Sequence, residues 1–130
     1  MEQFYFRKLD VYQKSKTLVA YISQLLKKFP SDERFALCSQ IRRASTSIPI
    51  NIAEGFGRFS AKEKVRFIEI AFGSLTEVIC ELELSLEQGY ITQDEFENAE
   101  HQLIVISKQL SALRLSVLNN GDFNPQANNP

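Results

Sequence analysis

The stretch Gln40–Gly57, QIRRASTSIPINIAEGFG, decides how this chain is read. Ile41, Ala44, Ile48 and Ile52 keep helical spacing on both sides of Pro49. A proline inside a helix removes a donor and clashes one turn back, at a cost of roughly 3 kcal/mol. The apolar stripe nevertheless runs through it, so the stretch reads as one helix kinked at Pro49. Ser45, Thr46 and Ser47 offer hydroxyls to the disturbed backbone. The small residues Ala44, Ser45, Ser47 and Ala53 suit tight packing. Asn51 and Glu54 stand ready to satisfy the backbone and cap the Gly55–Gly57 turn, where glycine favours a helix end.

Three further helices follow from spacing. Upstream, Val11, Ser15, Leu18, Ile22, Leu25 and Phe29 form a heptad seam over about Lys8–Phe29, stopped by Pro30. Ser31 is the expected N-cap of the second helix, with Asp32 and Glu33 in its first turn. Downstream, Ser60-Ala61-Lys62-Glu63 is a capping box that opens a helix to Gln88, with Gly89 as its stop. Its first half is apolar nearly all round, from Val65 to Ile79, more than one seam can bury. Gly73 and Ser74 within it predict close approach by another helix. A second capping box, Thr92-Gln93-Asp94-Glu95, opens the fourth helix, whose seam is Phe96, Ala99, Leu103, Ile106, Leu110, Leu113 and Val117. All the links are short, which makes neighbouring helices antiparallel. The expected fold is all-α: an antiparallel up-down-up-down four-helix bundle over residues 1–118, with a polar, disordered tail over 119–130.

The bulk properties narrow the class. A chain of 130 residues is one domain and needs no disulfide or metal to fold. Cys38 and Cys80 form no CxxC pair and read as reduced, buried packing residues of a cytoplasmic protein. No run approaches the ~18 apolar residues of a membrane span, so no membrane partner is expected. Net charge is −1, yet residues 1–66 carry 13 Lys/Arg against 6 Asp/Glu, a net of +7. Residues 67–118 carry 2 against 9, a net of −7. The basic half either meets phosphate or neutralises the acidic half, within one bundle or between subunits.

Catalytic and metal constellations are missing from the pattern. His101 is the one histidine and has Asn98, not Glu, three residues before it, so the Glu-x-x-His pairs of di-iron bundles do not occur. Glu97 is spaced to pair with His101 on a helix surface. No G-x-S-x-G elbow is present, and the glycines of EGFGR follow no strand. No enzymatic activity, cofactor or metal is therefore expected. What stands out is a basic cluster: Arg42 and Arg43 on the second helix, then Arg58, Lys62, Lys64 and Arg66 around the next turn. Phe56 and Phe59 lie among them, either to stack on unpaired bases or to join the core. Arg58 is also spaced to pair with Glu54.

Four segments carry a family likeness: FRKLDVYQKS at Phe6–Ser15, QIRRASTSIPINIAEGFGR at Gln40–Arg58, RFIEIAFGSLTE at Arg66–Glu77 and LEQGYI at Leu86–Ile91. In these the chain resembles the four-helix-bundle proteins encoded in intervening sequences of 23S ribosomal RNA genes. It also resembles the accessory variability determinant of diversity-generating retroelements. Ile50 departs from the pattern, where a small polar residue is expected, and adds an apolar contact. The resemblance implies a cytoplasmic ring, typically a homopentamer, without enzymatic activity. It implies contact with RNA or DNA, or alternatively a scaffold that holds a partner protein such as a polymerase.

Overall fold

In a computed structural model, residues 4–120 are described, and four helices account for most of them. A 3-10 turn at Tyr5–Lys8 leads into α1 (Asp10–Leu26). A second 3-10 turn at Ser31–Glu33 precedes α2 (Leu37–Gly55). α3 (Ala61–Glu87) and α4 (Gln93–Asn120) complete the bundle, and no strand occurs among the described residues. Each helix touches two neighbours, in the cyclic order α1, α2, α3, α4.

The seams read from the sequence are the core. Val11, Ser15, Leu18, Ile22, Leu25 and Phe29 are all buried, as are Ile41, Ala44, Ile48 and Ile52. Phe96, Ala99, Leu103, Ile106, Leu110 and Val117 are buried from α4, with Leu113 packed against them. Polar contacts then fix which ends meet. Gln109 of α4 donates to Asp10 at the start of α1 at 2.7 Å, while Lys28, past the end of α1, pairs with Glu95 in the first turn of α4. α1 and α4 therefore run in opposite senses. Phe29 and Tyr90 bring the α1–α2 and α3–α4 links to one end of the bundle, their rings 5.2 Å apart. Tyr5 and Phe56 mark the other end, where the α2–α3 turn lies.

The second capping box forms in full, and the first shows its N-cap half. The Glu63 amide donates to Ser60 Oγ at 3.1 Å. The Glu95 amide donates to Thr92 Oγ1 at 3.1 Å, and the Thr92 amide donates back to Glu95 Oε1 at 2.9 Å. Lys28 and the Thr92 amide together hold the Glu95 carboxyl below its ordinary range. Gly89, at φ +77°, closes α3: its amide donates to the Leu86 carbonyl and the Tyr90 amide to the Ser85 carbonyl, the Schellman pattern.

Several expectations need correction. Ser31 does not cap α2; the acidic run forms its own 3-10 turn, and α2 begins at Leu37 with no side-chain cap. α2 does run through the buried Pro49 as one helix, in keeping with the sequence. The hydroxyls of Ser45 and Thr46 turn to the Arg42 carbonyl, at 3.2 and 2.8 Å, rather than to the backbone beside Pro49. Ser47 crosses to Ser74 of α3 at 2.8 Å, and Asn51 Nδ2 donates to both the carbonyl and the hydroxyl of Ser47. Ser74 therefore meets the approaching helix, but a Cβ on Gly73 would meet nothing within 4 Å. Cys38 is buried, whereas Cys80 is exposed on α3 rather than in the core. α4 reaches Asn120, past the boundary set at residue 118, and the remainder of the tail lies outside the described residues.

Candidate nucleic-acid interface

The structure divides the six basic residues into separate environments. Arg42 and Arg43 lie on the second turn of α2 and Arg58 beyond its end, roughly 24 Å away along the helix axis at 1.5 Å per residue.

At the α2–α3 turn, Arg58, Lys62 and Arg66 are exposed together. Arg58 and Arg66 both rest on the Phe67 ring, at 4.9 and 5.3 Å from its centroid. Arg58 also reaches Glu54 and Arg66 reaches Glu63, each at 3.4 Å between exposed groups. Such exposed pairs contribute about 0–1 kcal/mol, so an incoming phosphate can displace either carboxylate at low cost. Phe59 stands beside them and is 77% exposed, whereas Phe56 packs against the core.

Lys64 is not part of that surface. It is 1% exposed, and its Nζ donates to the Arg58 carbonyl while lying 5.8 Å from the Phe56 ring. Burying an ammonium is costly unless it is hydrogen-bonded, and the Arg58 carbonyl answers that need. Lys64 thus secures the turn from beneath. Its place was legible: Lys64, Ile68, Ala71, Leu75, Val78 and Leu82 share one seam.

Arg43 faces an acidic neighbour. Glu81 of α3 is 5% exposed, and its carboxyl is pushed up from 4.5 to about 7. Burial is the main cause, followed by the hydrogen bond and charge of Glu77; the positive charge of Arg43 opposes them. Arg42 turns instead to a cleft at the far end of the bundle, where Lys27 and Arg34 also point. The sequence reading did not include Lys27 and Arg34, because the 3-10 turn that gathers them interrupts the expected helix.

The other candidates are quickly placed. His101 is exposed, and Glu97 accepts from Gln93 at 2.8 Å instead of pairing with it. Burial pushes the Cys38 thiol above its ordinary range, against nucleophilic character. Among the described residues no group of three His, Cys, Asp or Glu side chains could hold a metal ion. No helix among them is long and apolar enough to cross a membrane.

The comparisons with known proteins agree with this bundle. No curated protein is similar to the chain. Among solved structures, it resembles the crystal structure of a protein of unknown function from the S23 ribosomal protein family of Bacteroides thetaiotaomicron VPI-5482. The two share 28% identity over 80% of this chain and 97% of that one, with a TM-score of 0.74. The sequence signature of the 23S rRNA-intervening sequence proteins matches residues 7–112. With that match spanning most of the bundle, the chain belongs to the 23S rRNA-intervening sequence protein family.

Proposed function

We propose that this protein is a non-enzymatic, oligomeric helical module that contacts single-stranded RNA or DNA at the α2–α3 turn. The observation that carries the reading is Phe59, 77% exposed next to Arg58 in the turn that leads to the exposed Lys62 and Arg66. An exposed ring flanked by cations suits an unpaired base between two phosphates. The arginines, braced on Phe67, would position phosphates with little base reading. Three phosphate contacts per subunit predict a log–log salt slope of about −2 on single strands. Replacing Arg58, Lys62 and Arg66 together by Gln should flatten that slope, and Phe59→Ala should cost about 1–3 kcal/mol on single strands and far less on duplex. Fluorescence anisotropy at ~50 and ~200 mM salt tests this. Absence of binding at the lower salt, or affinity equal at both, defeats it. A scaffold for a polymerase would instead keep its protein partner in the triple-Gln variant.

The bundle also carries complementary unpartnered faces. Between α1 and α2 lies a groove of about 600 Å³, walled chiefly by Tyr12, Val19, Pro49, Ile50 and Ala53. Ile50 is 56% exposed at its rim. On the α3–α4 side Phe72, Ile104, Leu115 and Leu118 are exposed within the acidic half of the chain. A basic, grooved face and an acidic, knobbed face on one molecule suit head-to-tail association that closes into a ring. Five subunits are the number the family likeness suggests. Light scattering of the wild type at micromolar concentration should give the ring mass, and Ile50→Asp should shift it to monomer. A monomeric wild type ends the ring proposal.

A further inference from the structure

A second basic feature lies at the opposite end from the α2–α3 turn. Lys27 follows α1, Arg34 follows the 3-10 turn at Ser31–Glu33, and Arg42 sits on α2. All three line one cleft of about 400 Å³, against Phe29, Pro30 and Cys38. No carboxylate lies within ion-pair distance of any of the three among the described residues. Of the nearby acids, Glu33 accepts from the Tyr90 hydroxyl at 2.9 Å while its charge also reaches Cys38 in the cleft, and Asp32 acts on the same phenol. Glu95 is occupied by Lys28. Three cations from three elements converge on one cleft, none of them held by a carboxylate.

The backbone adds to this concentration of positive charge. α2 begins at Leu37 with no side-chain cap, so its first amides and the positive end of its dipole face the same end of the bundle. The Arg34 guanidinium lies 5.5 Å from the exposed Phe35 ring. Phe29, Pro30 and Cys38 floor the cleft, and the three exposed cations stand around it.

We propose that this cleft binds a terminal phosphate monoester of the nucleic acid, a refinement that rests on the reading given above. A phosphodiester carries one charge and continues through two ester bonds, which calls for a groove open at both ends. A monoester presents up to two negative charges and three free oxygens on a single bond, and so matches three cations around a short cleft. Lys27, Arg34 and Arg42 would each meet an oxygen, with Arg42 reaching from the helix side. The chemistry is shared by a free phosphate compound, and the experiment separates the two sources.

The test compares unphosphorylated, 5′-phosphorylated and 3′-phosphorylated single-stranded RNA 10-mers by anisotropy, with inorganic phosphate as competitor. A terminal phosphate is expected to tighten binding at least tenfold. Arg34→Ala or Arg42→Ala should abolish that preference, and Lys108→Ala, on exposed α4 surface, should retain it. Equal affinity for all three RNAs, with no competition by phosphate, overturns the cleft and leaves the α2–α3 interface standing. If no RNA binds but inorganic phosphate shifts the amide resonances of Leu37–Ser39, the nucleic-acid reading falls and the cleft serves a free phosphate compound. No binding of RNA and no phosphate shift overturns both.

Discussion

Glu81→Gln is expected to remove most of the loss of stability that the wild-type protein suffers between pH 5 and pH 8. The Glu81 carboxyl is buried on α3, its Oε1 has no hydrogen-bond partner, and its folded-state pKa of about 7 lies above the ordinary 4.5. The folded protein therefore binds this proton more tightly than the unfolded chain does. Stability from this group is complete below pH 4.5 and declines as pH rises towards 7, where the buried group ionises. The displacement corresponds to at most roughly 3 kcal/mol. Glutamine keeps the shape and cannot ionise, so the variant should match the wild type near pH 5 and exceed it by about 2–3 kcal/mol at pH 8. Urea melts of both proteins at five pH values and one protein concentration measure the difference, with concentration fixed because assembly adds its own stability. Parallel pH profiles would show that Arg43 and solvent already neutralise the site.

Glu81 also shows where the sequence was readable and where it was not. The bundle was legible because its seams repeat for several turns and both capping boxes carry all their parts. Lys64 and Glu81 share a face with those seams, Lys64 four residues before Ile68 and Glu81 between Val78 and Leu82. Placing Lys64 in the basic cluster followed from residue type, when position gave the better signal. The start of α2 was misplaced for a different reason. Ser31-Asp32-Glu33 satisfies the N-terminal preferences of a 3-10 turn as well as those of an α-helix, and local sequence does not separate the two. The same error hid the cleft, since only the observed turn brings Lys27 and Arg34 beside Arg42. Of the six cations, Lys64 is buried and the other five lie exposed. Their division between opposite ends of α2 follows from the length of the helix, which the sequence did disclose.

Gly55 supplies the second large effect and explains much of the SIPINIAEG stretch as packing. A Cβ at Gly55 would stand 3.0 Å from Phe67 Cβ and 3.4 Å from the Lys64 carbonyl. Phe67 Cβ is fixed to the backbone of α3 and cannot swing aside, so α2 and α3 would have to part. Gly55→Ala gains up to about 1 kcal/mol of helix propensity but overpacks a contact worth about 1–3 kcal/mol, for a net loss near 1 kcal/mol. Gly55→Val adds two methyls at the same point and should lose about 3 kcal/mol. Gly73→Ala is the matched control: a Cβ there meets nothing within 4 Å, so it should stabilise by about 0.5–1 kcal/mol. Opposite signs from one chemical change in urea melts would locate the tight α2–α3 contact at Gly55. A neutral Gly55→Ala would mean that the helices yield there. The consequence extends beyond stability, because Lys64 and Phe67, the two residues nearest Gly55, also support Arg58 and Arg66. Gly55→Val should therefore weaken RNA binding at the α2–α3 turn even at temperatures where the bundle remains folded. The glycine touches no ligand; its effect arises from the spacing it sets beneath the arginines.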